Sequence, residues 1–164
     1  MAKDSNDLLI AWLNDAYAME KALIPILENH AKDAQNYPQI QSRIEQHVEE
    51  TRRHADMVEE CVERLGSSTS AVKTGLGSLF GALQSVSTGM AQDELIKNGL
   101  ADFAAENFEI ASYKALIAAA QAFGYQDIAQ VCQQILRDEQ EMASWLFEQL
   151  PVLVHETLRQ VEMQ

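Results

Sequence analysis

The chain of 164 residues carries 25 acidic against 12 basic side chains, a net charge of −13, and so offers no surface to nucleic-acid phosphates or to an anionic membrane. Hydrophobic residues at 47% exclude a disordered composition, and 7 glycines and 3 prolines are too few for a turn-rich β protein, so one mainly helical domain over residues 1–164 is expected. Cys61 and Cys132 form neither a Cys-x-x-Cys motif nor a disulfide framework; with no apolar leader and no run long enough to span a bilayer, the expectation is a soluble, cytoplasmic protein.

The first helix is expected from Ser5 or Asn6, plausible caps, to about His30, as one helix bent at Pro25. Its apolar stripe is Leu9, Trp12, Leu13, Ala16, Leu23, Ile24 and Leu27, and Glu20 falls within it. After a break at Asp33 to Pro38, a second helix runs from about Gln39 to Leu65 on Ile40, Ile44, Val48, Ala55, Val58, Val62 and Leu65, with Gly66 as its stop. On its flank lie His47, Glu50 and His54, spaced by three and four so that all three side chains align.

From Gly66 to about Gly89 the composition turns to Ser, Thr and Gly, with Val72, Leu76, Leu79, Phe80 and Leu83 at helical spacing: a short amphipathic segment inside a long connection. A connection of that length suits a four-helix bundle in which helices 2 and 3 run parallel and need a crossover. The third helix is expected from about Asp93 to Ala122, with Glu106 mid-stripe among Leu95, Phe103, Ile110, Tyr113 and Ile117, and Glu109 at the stripe's edge. The fourth starts near Asp127 and ends before Pro151; Glu139 lies at the centre of its stripe of Ile128, Cys132, Ile135, Met142, Leu146 and Leu150, while Asp138 and Glu141 point sideways or outward. A short helical tail follows from Val152.

Every long helix thus brings at least one acid to its core-facing side: Glu20, Glu50, Glu106 with Glu109, and Glu139. The spacing repeats, since Glu20 to Glu50 and Glu109 to Glu139 are equally far apart in sequence. A carboxylate in an apolar interior costs several kcal/mol unless it is protonated, hydrogen-bonded or bound to a cation. Basic residues are scarce, so two divalent cations, iron or manganese, are the expected answer, with His54 as a further nitrogen ligand and His47 behind it. Tyr17 and Tyr113 are expected in the core, within reach of a ligand carboxylate.

Four segments carry a specific resemblance: Asp15-Ala-Tyr-Ala-Met-Glu20-Lys21, Glu45-Gln-His47-Val-Glu-Glu50-Thr51, Glu106-Asn-Phe-Glu109-Ile-Ala-Ser-Tyr113 and Asp138-Glu139-Gln-Glu-Met142-Ala-Ser-Trp145-Leu146. Together they resemble the YciE/YciF family of bacterial stress-associated ferritin-like proteins, nearer its YciE branch, over about Leu8 to Pro151. The resemblance implies an all-α ferritin-like bundle, a cytoplasmic homodimer, and no assigned biochemical activity. Glu106-x-x-Glu109 is also similar to the rubrerythrin pattern, which implies peroxide reduction at a di-iron centre. Arg53 and Met142 stand where the Glu-x-x-His motifs of such bundles carry histidine, and two isolated cysteines cannot build the iron domain that feeds electrons to rubrerythrins. Two readings follow: a dinuclear centre with two iron or manganese ions per chain and no organic cofactor, which reduces peroxide or oxygen, or a non-catalytic stress-associated bundle whose site is empty or structural. A storage subunit is a third, and requires a hollow multi-subunit shell.

Overall fold

The computed structural model describes residues 2–69 and 93–162, and among these it has four helices: α1 (Ala2–Asp33), α2 (Pro38–Arg64), α3 (Glu94–Ala122) and α4 (Gln126–Glu162). The amphipathic segment expected at Val72 to Leu83 lies outside the described residues. Pro38 opens α2 in its first turn, where a missing N–H costs nothing. Gly66 ends α2 and Gly124 ends α3 by the same device. Each takes a positive φ, 77° and 86°, and the next residue's N–H turns back to the helix, Ser67 to the Val62 carbonyl and Tyr125 to that of Ala120.

α1 pairs with α2 and α3 with α4 as hairpins, and α1 packs on α3 and α2 on α4. Side-chain pairs fix the directions. Asp33 meets Asn98, His30 meets Asp102 and Glu20 meets Tyr113, so α1 and α3 are antiparallel; Arg64 meets Asp127 and His54 meets Asp138, so α2 and α4 are too. Hence α2 and α3 run parallel on a diagonal, and α2 ends at the opposite end of the bundle from the start of α3. The crossover expected between helices 2 and 3 follows from that placement.

α1 continues through Pro25 as expected, and α4 continues through Pro151, so the helical tail extends the fourth helix instead of following a break. Leu153, 4% exposed, explains the continuation: with Leu150 it packs on Gly99, where a Cβ would sit 3.2 Å from Leu153 Cδ1. Burying such a side chain contributes roughly 1.5–3 kcal/mol, enough to offset much of the lost hydrogen bond.

The core is made by Leu9, Leu13, Met19, Leu27, Ile128, Ile135 and Met142, all at most 2% exposed. Two expectations shift. Trp12 is 41% exposed, off the core face of α1. On α3 the buried side is Asn98, Asp102, Ala105, Glu106, Glu109, Tyr113, Leu116 and Ala120, whereas Leu95, Phe103, Ile110 and Ile117 are half-buried. At about 100° per residue the inward face is turned roughly 80° from the apolar one, which puts Glu109 at its middle and not its edge.

Candidate metal centre

Halfway along the bundle the hydrophobic core is interrupted. Glu20 from α1, His47 and His54 from α2, Glu106 and Glu109 from α3, and Glu139 from α4 are each at most 1% exposed. Spacing delivers them. His47 and His54 are two turns apart on one face of α2, Glu106 and Glu109 one turn apart on α3, and the two hairpins bring Glu20 and Glu139 to the same depth.

Glu139 sits at the centre of the cluster. One of its carboxylate oxygens lies 2.8 Å from His54 Nδ1, which is itself 3.9 Å from Glu20 Oε2. The other lies 3.6 Å from His47 Nε2, which is 2.9 Å from Glu106 Oε1. Two sets of donors result, Glu20–His54–Glu139 and His47–Glu106–Glu139, each with its ligand atoms within 4.8 Å of one another and with Glu139 in common. A carboxylate with one oxygen toward each set has the disposition of a bridging ligand.

Partly exposed acids hold the histidines from behind. His47 Nδ1 is 2.9 Å from Glu50 Oε2 and His54 Nε2 is 2.9 Å from Asp138 Oδ2, the carboxylate–imidazole arrangement that fixes a ring nitrogen toward a metal. Tyr113 donates its hydroxyl hydrogen to Glu20. Glu50 does not reach the cluster. Its carboxylate accepts from Arg43, Gln46 and His47 and lies on the outer side of His47. Arg53, on the exposed side of α2, reaches Asp138 at 3.3 Å, and Met142 fills the core at 0% exposure in the place of a motif histidine.

Whether a metal fits can be judged from the atoms left over. Glu20 Oε2, Glu106 Oε2, Glu109 Oε1, both oxygens of Glu139 and His54 Nδ1 are buried without a hydrogen-bond partner. No Lys or Arg is buried among the described residues. His54 Nδ1 and Glu139 Oε1 are close yet not hydrogen-bonded, and two atoms each about 2.1 Å from one ion and at right angles lie about 3.0 Å apart. Oxygen and imidazole donors together suit a divalent transition metal, and each of the two sets could hold a cation.

Without a cation the cluster holds protons. Burial, then repulsion from Glu139, raises the Glu20 carboxyl to about 8, and burial raises Glu106 to about 8 against the opposing pull of His47. Burial and the charges of Glu139, Glu20 and Glu106 hold Glu109 well above the usual carboxylate range. Burial disfavours the charged imidazoles, but Glu106 and Glu50 hold His47 well above its ordinary value, and Glu139, Glu20 and Asp138 bring His54 to about 9. Glu50, although partly buried, is pulled down to about 2 by His47 and Arg43.

The structure therefore brings together Glu20, Glu106, Glu109, Glu139 and His54 from the sequence-derived set and leaves Glu50 outside it. It adds His47, which was expected only behind the ligands, and Asp138, which was expected to point away. The two-turn spacing of His47 and His54 was a readable sign that both face one way; the Asp138 contact comes from another helix and left no sign.

A four-helix bundle with this crossover has the ferritin-like fold, and a carboxylate–histidine cluster is buried within it. The chain belongs to the DUF892 family, described as a domain of unknown function, whose pattern matches residues 4–159. It is similar to a crystal structure of a Xanthomonas campestris pv. campestris protein at 38% identity and a TM-score of 0.83, covering 97% of this chain and 99% of that one. The E. coli stress protein YciF shares the fold at 22% identity and a TM-score of 0.78 over 92% of this chain and 97% of its own. A Desulfovibrio desulfuricans bacterioferritin, whose di-iron site is described in different catalytic states, does so at 20% identity and 0.79 over 94% and 85%. The family and the YciF fold bear out the YciE/YciF resemblance of the four segments.

Proposed function

We propose that the cluster holds two divalent metal ions, iron or manganese, and serves a redox reaction with peroxide or oxygen as a stress response. The supporting observation is the set of buried oxygens of Glu20, Glu106, Glu109 and Glu139 that have no hydrogen bond and share two imidazoles, with no Lys or Arg among the buried residues described. When bound, such a pair of ions supplies the electrons that reduce a small oxidant. The chain's own part is to hold and orient. Glu20 with His54 would hold one ion and Glu106 with His47 the other, with Glu139 shared by both sets. Glu109, in neither set but within reach of their charges, would add a further oxygen. Glu50 and Asp138 keep the imidazoles aimed inward, and full burial keeps bulk water away. We also infer a cytoplasmic homodimer, as the family resemblance implies; light scattering at the mass of one chain, or of a large shell, overturns that assembly.

The second reading, a non-catalytic bundle with a structural ion or none, draws on Arg53 and Met142 in the places of the motif histidines. Optical spectroscopy separates the two. Protein loaded anaerobically with ferrous iron is expected to develop an oxo-bridged di-iron absorption on adding peroxide, to bleach with dithionite, and to regain the band on a second addition. A spectrum that never changes leaves the second reading.

A further inference from the structure

The centre is sealed, so a cation must pass through protein to reach it, and one line of side chains suits the passage. On α3, Asn98, Asp102, Glu106 and Glu109 are all at most 3% exposed and share one face. Their separations along the helix axis are about 6, 6 and 4.5 Å. Small residues, Gly99, Ala101 and Ala105, flank them, with Leu150 and Leu153 seated on Gly99. An ordinary bundle helix would carry Leu or Ile along this face.

The outer end of the line borders a cavity of about 20 Å³, large enough for one water or one bare cation, lined by His30, Asn98, Asp102 and Gln149 with Trp145 and Leu153 among its apolar walls. Asn98 donates Nδ2 to Asp33 at 2.9 Å, but its buried amide oxygen has no partner. His30 Nδ1 is 2.7 Å from Asp102 Oδ1. With Nδ1–H donated to the carboxylate, Nε2 is the nitrogen that gives up its proton to an arriving cation, the arrangement of a metal-binding histidine. Asp33 and Glu94 add negative charge around His30. An unpartnered carbonyl-type oxygen, a carboxylate and an imidazole at one cavity are the donors a hard divalent cation takes.

The geometry points to Asn98, His30 and Asp102 as a way-station through which divalent cations enter at the α1–α3 end of the bundle and step along Asp102 to Glu106 and Glu109. This rests on the dinuclear reading of the centre. The station binds transiently, and its residues set the rate of loading without being ligands of the final site.

Metal-free protein mixed with cobalt(II), quenched with chelator at intervals and assayed for bound cobalt, tests it in the wild type, Asn98→Leu and Asp102→Asn. Loading at least ten-fold slower in both variants, to the wild-type final stoichiometry, is expected. Variants that load as fast as the wild type overturn the route and leave the centre standing, whereas a wild type that takes up no cobalt overturns both. Should the variants fail to fold, wild-type crystals soaked in manganese(II) decide: an anomalous peak among Asn98, His30 and Asp102 supports the station, and a loaded centre with no peak there, at early and late soaking times, overturns it.

Discussion

Glu109 shows how single residues divide stability from function. Its Oε1 has no partner and its carboxyl is held well above the usual range by burial and by its acidic neighbours. Glu109→Gln removes no ion pair, so the metal-free variant is expected to melt at or above the wild-type temperature, by up to about 1 kcal/mol. The same change is expected to reduce the rise in melting temperature that ferrous iron or manganese brings. Glu50 makes the opposite case, because it meets the cluster only through the outer ring nitrogen of His47. Glu50→Gln is expected to weaken metal binding about 10–100-fold while the number of ions bound stays the same, as for loss of a group that orients a ligand. A titration showing one ion fewer per chain would make Glu50 a direct ligand.

At the scale of elements, the α1–α3 contact is tied by polar groups at three depths: Asp33–Asn98, His30–Asp102 and Glu20–Tyr113. Burial disfavours charge on His30, but Asp102 outweighs it and raises its pKa above the ordinary value. The pair's contribution is therefore full below about pH 6.5 and is lost as pH rises through the raised folded value. His30→Gln is expected to be less stable than the wild type in urea at pH 6, with the gap narrowing toward pH 9; a gap constant with pH would mean that His30 acts only by packing. The polar depth of α3 also explains what the sequence hid. Four helices and the inward acids on α1 and α4 could be read from periodicity, because there apolar and buried faces coincide, and the stop at Gly66 from the glycine itself. On α3 they do not: Leu95, Phe103, Ile110 and Ile117 mark a half-buried flank, and the inward face is made of acids and small residues. His47 looked peripheral because its partner Glu106 lies across the bundle diagonal, a contact set by the crossover and by no local spacing.

For the whole molecule, the cluster makes stability depend on pH and on metal in opposite senses. Glu20 and Glu106 at about 8 and His54 at about 9 all bind protons more tightly folded than unfolded. Metal-free protein therefore loses stability as pH rises from about 4.5 to 9, since the unfolded chain gives up these protons first. Metal binding needs these carboxyls ionised and the imidazoles neutral, so loading is expected to release protons near neutral pH, and affinity to rise with pH, as read by calorimetry in buffers of different ionisation enthalpy. Binding without proton release would mean that the metal sits elsewhere.

We propose that these six buried side chains would hold two metal ions, with Glu139 shared by the two donor sets. The test is elemental analysis of protein purified without a metal-affinity tag, beside Glu139→Ala. Close to two iron or manganese per chain in the wild type, lost in the variant, is the predicted result. A wild type that stays metal-free after anaerobic exposure to ferrous iron and to manganese, or a Glu139→Ala protein that retains both ions, would contradict it.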